Sequence, residues 1–196
     1  MRRLIVATTV TMSCFVLAPG ASAQERRGFW FDVGIGIGSA EVSSGGVDGS
    51  RGSAGTAVIQ VGWALNPQFL VGLELRDIVL DVRGDIVGDV AAINVEGVLL
   101  YYPRRSSRLF LSGGIGGSVL DLDAEQQGTT LSGTIAKGLG LSMGVGYDFY
   151  LGRGFSITPA ASFWYGHPGD ANIRGQTLMT NWSHNVVDAT ISIKFN

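Results

Sequence analysis

The chain has 196 residues, 30 of them glycine, with 45% hydrophobic and only 15% charged side chains and a formal net charge of −2. With no basic run and no stacked aromatic platform, this composition speaks against nucleic acid as a partner. The length suits one domain, and beyond the N-terminal leader no window reaches the run of about 18 apolar residues that a spanning helix needs.

Arg2 and Arg3 precede a mostly apolar run over 4–18, and Ala21-Ser22-Ala23 supplies an A-x-A cleavage site. Met1–Ala23 therefore reads as a cleaved secretory signal peptide, leaving 24–196 as the mature domain. The apolar run is too short for a membrane span and breaks at Pro19-Gly20. Cys14, the single cysteine, lies inside this leader behind Thr11-Met12-Ser13, a poor lipoprotein signal. No lipid anchor, disulfide or thiolate metal site is expected. Cleavage takes the basic count from 14 to 12 against 16 acids, a mature charge of about −4.

Eight segments then alternate between an apolar and a non-apolar face, as strands with one greasy side must. Residues 28–38 place Phe29, Phe31, Val33, Ile35 and Ile37 on one face and Trp30, Asp32 and three glycines on the other. The others are 57–65, 69–77, 91–102, 109–119, 135–149, 155–165 and 186–195, the last with Val187, Ala189, Ile191, Ile193 and Phe195 in phase. Each has the length of a tilted strand crossing a bilayer. An export signal without a spanning helix leaves a closed barrel as the membrane solution, since closure satisfies every backbone group in lipid. The expected fold is all-β, a closed eight-stranded antiparallel up-and-down transmembrane β-barrel.

A soluble barrel would carry charges outside and an apolar lining. Here the non-apolar face is mostly glycine, serine and a few charges, so the apolar face is expected to meet lipid and the glycine face the lumen. Short connections at 66–68, 103–108 and 150–154 alternate with long ones at 39–56, 78–90, 120–134 and 166–185. Short turns are expected on the periplasmic side and long loops outside, with both termini periplasmic. Phe29, Trp63, Phe69, Tyr101, Tyr147, Phe149, Phe155 and Phe195 all fall at the short-turn end and form a periplasmic aromatic girdle. Phe163 and Tyr165 mark a thinner outer one.

On these features the chain resembles the small eight-stranded Gram-negative outer-membrane β-barrels of the protein A, X and W type (OmpA/OmpX/OmpW-like barrel domains). The resemblance covers nearly all of the mature chain. It implies outer-membrane lipid, lipopolysaccharide and the barrel assembly machinery as partners, a monomer, no cofactor, and residence in the cell outer membrane. Those barrels usually end on an aromatic residue; here Phe195 is penultimate and Asn196 follows. The chain stops at the last strand, so no cell-wall-anchoring domain is expected.

Asp32, Glu74, Arg76, Glu96, Asp148, Asp188 and Lys194 all fall in the lumen phase. Charges in a narrow interior need partners, and Glu74, Arg76 and Glu96 lie on adjacent strands. The resulting network reads either as a permanent plug of ion pairs or as a gate; five acids against two bases would make any pore lean toward cations. Gly34-x-Gly36-x-Gly38 and Gly138-x-Gly140 alternate within strands and do not open a helix, which argues against a phosphate loop. Asp121-x-Asp123-x-Glu125 and Asp77, Asp81, Asp85 and Asp89 read as solvated loop charge in preference to a Ca²⁺ or Mg²⁺ site, since the twelve-residue calcium loop is absent. His167 and His184 fall in or beside the fourth long loop, where Ser162, Asp170 and Ser183 could partner a lipid hydrolase on paper; no His-x-Ser spacing supports it. Met179 and Trp182 could cap the barrel, and Lys137 could snorkel to lipopolysaccharide phosphate. The expected role is structural, in envelope integrity or surface interaction, and non-enzymatic. A narrow cation-leaning channel for small solutes or apolar ligands is the alternative, and a surface lipid hydrolase a distant third.

Overall fold

The computed structural model describes residues 26–44, 47–82, 87–126, 129–173 and 176–196; side chains at 42, 44–50, 79–91, 120–136, 168 and 170–182 are outside the description. The signal peptide expected at Met1–Ala23, Asp85, and the side chains of Asp81, Asp89, Asp121, Asp123, Glu125, Asp170, Met179 and Trp182 lie outside the described residues.

The strands are β1 (Gly28–Ser44), β2 (Val47–Asn66), β3 (Phe69–Val82), β4 (Val87–Tyr101), β5 (Leu109–Gln126), β6 (Thr129–Tyr147), β7 (Phe149–Gly152), β8 (Phe155–Ile173) and β9 (Gln176–Phe195). Successive strands from β1 through β6 pair antiparallel, as do β7 with β8 and β8 with β9; β1 pairs with β9, and β6 with β8. The wall therefore closes. β7 continues the line of β6 past Asp148, whose N–H leaves the ladder for the Arg108 carbonyl at 2.9 Å. The result is a closed eight-stranded antiparallel barrel. Among the described residues no helix is long and apolar enough to cross a membrane.

The alternation sets the faces. Ile35, Ile37, Leu73, Ile115, Met143, Ile191 and Ile193 are each more than half exposed on the outside, while Asp32, Glu74, Arg76, Glu96, Asp148, Asp188 and Lys194 in the alternate phase are buried. An apolar band of this extent on a closed barrel has lipid as its natural environment. The aromatic side chains at its short-turn edge make contacting pairs: Phe69 on Tyr101 with ring centres 5.0 Å apart, Tyr147 on Phe149 at 4.8 Å, and Phe155 on Phe195 at 5.2 Å. Phe29 lies opposite Trp63 in the ladder. In the 66–68 turn, Pro67 presets the bend and the Asn66 Oδ1 accepts the N–H groups of Gln68 (2.8 Å) and Phe69 (3.1 Å).

The four expected outer loops are corrected. Most of 39–56, 78–90, 120–134 and 166–185 is strand, so the barrel rises well beyond its apolar band as long hairpins. Above the band neither face is required to be greasy, so the alternation that betrays a strand fades from the sequence while backbone pairing continues. His167-Pro168-Gly169 is likewise a bulged part of β8, not a turn, with Gly169 at φ 81°. Among the described residues, ladder pairing of β2 with β3 runs as far as Ala54 and Leu80, and that of β6 with β8 as far as Leu139 and His167.

Candidate functional site

The lumen is stacked in three tiers. At the short-turn end Trp30, Ala64, Leu70, Val98, Leu100, Tyr102 and Phe110 form a buried apolar cluster. Beside the expected glycine, serine and charge, the lining thus carries a bulky apolar cluster, of which only Trp30 was expected on this face. The wet phase of the strands turns greasy where the barrel must close. Bulky groups fit because glycines lie opposite them. A Cβ on Gly62 would meet the Val71 carbonyl first and also the Trp30 Nε1 at 2.7 Å, one on Gly72 the Val61 carbonyl and then the Trp30 Cζ2 at 2.8 Å, and one on Gly146 three carbons of the Phe110 ring, none farther than 3.0 Å. The indole N–H donates to the Val71 carbonyl at 3.2 Å.

Directly above, the Lys194 Nζ lies 3.1 Å from an Asp148 oxygen, 3.9 Å from Asp32, and 4.0 Å from the Phe110 ring centre. The Tyr102 hydroxyl donates to Asp148 (2.7 Å), Thr158 donates to Asp148 (2.9 Å), and Ser192 donates to Asp32 (3.0 Å). Arg26 closes this tier from below. Its guanidinium stacks 3.5 Å from the Tyr102 ring, lies 3.8 Å from Asp148, and donates to the carbonyls of Ser107 (2.5 Å), Pro67 (3.3 Å) and Arg105 (3.4 Å). Sequence periodicity could not find Arg26, because it precedes the first strand.

In the middle tier Arg76 bridges two carboxylates, Glu74 through Nε (2.8 Å) and Asp188 through a terminal nitrogen (2.8 Å). Gln60 donates to Glu74. Glu96 lies opposite Glu74 in the ladder, but it is held by Asn94 (3.0 Å) and Ser142, not by Arg76 as strand adjacency suggested. It rests on Gly140, where a Cβ would come within 3.1 Å of its Oε1. All seven charged residues expected in the lumen are at most 6% exposed. Above them Ala40, Ile78, Ala92, Trp164 and Val186 form an upper apolar layer, each at most 1% exposed.

His184 lies in β9, fully buried, with its ring edge-on to Trp164 at 5.5 Å. His167 lies in β8 with its imidazole stacked on Tyr165 at 6.4 Å. Their expected place in a loop is thereby corrected. Lys137 is exposed in β6 opposite Val119. Among the described residues no group of three or more His, Cys, Asp or Glu could hold a metal ion.

The glycine-for-bulk arrangement predicts a double-mutant result. The three atoms nearest a Cβ at Gly146 are all carbons of the Phe110 ring, so Gly146→Ala should cost about 1–3 kcal/mol by overpacking. In a Phe110→Ala background the same change should be nearly neutral. Urea titration of the four folded proteins measures the coupling; additive costs would refute the contact.

No protein-family model matches the chain, and no curated protein matches it. Among solved structures it is similar to Neisserial surface protein A, at 16% identity over 84% of this chain and 97% of that one, with a TM-score of 0.59. It is similar also to Ail, the attachment invasion locus protein of Yersinia pestis, at 13% identity over 86% of this chain and 99% of that one, with a TM-score of 0.58. At such identities the likeness is one of fold: that of the small eight-stranded outer-membrane β-barrels.

Proposed function

We propose that this protein is a non-conducting, non-enzymatic outer-membrane barrel with periplasmic termini that acts through its outer hairpins, in envelope integrity or contact with a partner at the cell surface. The observation that carries this reading is the burial of bulky apolar side chains toward both ends of the lumen, Trp30, Tyr102 and Phe110 below and Ile78, Trp164 and Val186 above. A path for solute would have to pass both apolar layers and the bonded charges between them. The hairpins, by contrast, extend the wall beyond the apolar band, where exposed elements on a rigid scaffold are placed to meet partners. The similar structure of Ail was determined with a heparin analogue, sucrose octasulfate. The outer strands here carry Asp81, Asp89, Asp121, Asp123 and Glu125, a charge that disfavours a sulfated polyanion and favours a neutral or cationic partner.

One observation favours a second reading. Five acids against two bases in the lumen would select cations if the tiers could part. Refolded mature protein in a planar bilayer separates the two. A silent bilayer containing correctly inserted protein is expected; discrete cation-selective steps that change in Arg76→Ala would replace the surface reading with a channel.

A further inference from the structure

The two ends of the barrel differ in charge. The short-turn end carries Arg26 and Arg27 before β1, Arg104, Arg105 and Arg108 in the β4–β5 turn, and Arg153 in the β7–β8 turn. Two acidic groups are described there: Asp148, buried and already bonded to Lys194, Tyr102 and Thr158, and the C-terminal carboxylate of Asn196, whose N–H donates to the Gly154 carbonyl at 2.9 Å; six arginines still outnumber them. Arg26 is spent beneath the barrel, but Arg104, Arg105 and Arg153 are exposed, and among the described residues none has a carboxylate partner.

Their positions are specific. Arg104 and Arg105 follow Tyr101 by three and four residues, Arg108 directly precedes Leu109, and Arg153 stands two residues before Phe155. The cations therefore flank the aromatic girdle, at the level where a bilayer gives way to its headgroups. Arg153 also holds a backbone position unsuited to it. It lies at φ 53° between Gly152 at 106° and Gly154 at 89°, a left-handed run in which glycine or asparagine is the unstrained choice. The turn thus presents a long cation where a small neutral residue would fold more easily.

We propose that this collar binds anionic phospholipid headgroups, phosphatidylglycerol or a lipid of like charge, in the leaflet at the short-turn end. The inference rests on the membrane reading above. The chemistry is that of guanidinium and phosphate: planar paired donors meeting phosphate oxygens, in a headgroup layer where the charges are only partly screened. The acidic opposite end would repel the same lipids, so the two ends together bias which leaflet each end prefers. Arg104, Arg105 and Arg153 are already exposed in their turns, so binding uncovers no buried group.

Quenching of tryptophan emission by brominated lipids tests it in the full mature protein refolded into phosphatidylcholine vesicles. With Trp182→Phe introduced in every variant, Trp63, 58% exposed on the girdle, reports the lipid, whereas Trp30 and Trp164 are buried in the lumen. At low ionic strength, brominated phosphatidylglycerol should associate about three- to tenfold more strongly than brominated phosphatidylcholine. The preference should shrink in salt of about 1 M. It should be lost in Arg104→Gln/Arg105→Gln/Arg153→Gln and retained when the same three are changed to lysine. Equal quenching by the two lipids, or a preference untouched by the glutamine variant, overturns the proposal. So does retention of the protein on purified peptidoglycan that the glutamine variant abolishes while the lipids remain indistinguishable. Absence of quenching by either lipid would instead defeat the membrane reading itself.

Discussion

Replacing Arg76 with methionine should destabilise the barrel by about 3–5 kcal/mol, the cost of leaving buried charge without its partner. The guanidinium is 5% exposed and binds two carboxylates that are each 3% exposed, Glu74 and Asp188, on strands far apart in sequence. Removing it leaves both without this partner, between buried apolar side chains above and below that disfavour replacement of the lost donors by water. Methionine fills much of the volume, which keeps the loss electrostatic in origin. The companion variant Arg76→Met/Glu74→Gln/Asp188→Asn removes the charges together and should recover most of the stability, because a neutral set of similar shape has no ions to desolvate. The urea midpoint of protein folded in phosphatidylcholine vesicles measures both. A single-variant cost below about 1 kcal/mol would mean that the middle tier is hydrated and that the lumen is not sealed.

How much of this was legible in the sequence depends on what each residue faces. Outside, the lipid-facing phase is mostly apolar. Alternation therefore located all eight crossings and set Asp32, Glu74, Arg76, Glu96, Asp148, Asp188 and Lys194, all buried, in the other phase; closure followed from an export signal without a spanning helix. The partners within the lumen were not legible. Arg76 reaches across to Asp188 of β9, a contact set by barrel diameter and stagger, which no one-dimensional spacing encodes. The apolar tiers escaped for a different reason. Leu70 lies between Phe69 and Val71, and Leu100 between Leu99 and Tyr101, so inward and outward apolar residues fuse into one run in which period two disappears. The outer hairpins escaped because their strands have no greasy face to alternate. The glycines were legible as lumen residues but not as the complements of particular side chains. That Gly62 and Gly72 make room for Trp30 follows from the β1–β2 and β2–β3 registers together.

Trp30 is therefore the position at which the lower seal can be tested most directly. Its ring is fully buried across the lumen, walled by Gly62 and Gly72 and fixed by the hydrogen bond to Val71. Trp30→Ala should cost about 3–5 kcal/mol, since neighbours on a closed wall cannot collapse into the space left. Trp30→Phe should cost less, keeping a ring in the slot while leaving the Val71 carbonyl without this donor. Trp63→Ala removes the same side chain from the girdle, where it is 58% exposed and no lumen partner depends on it. Its cost should be smaller and should vary with the lipid, whereas the Trp30 cost should be nearly the same in detergent and in vesicles. Urea midpoints at unchanged slope give the comparison. Emission of Trp30 should also escape the brominated lipids that quench Trp63. A Trp30→Ala barrel as stable as Trp63→Ala, or lipid quenching of Trp30, would show that the lower tier is open, and the silent bilayer expected of the native protein would then lose its structural basis.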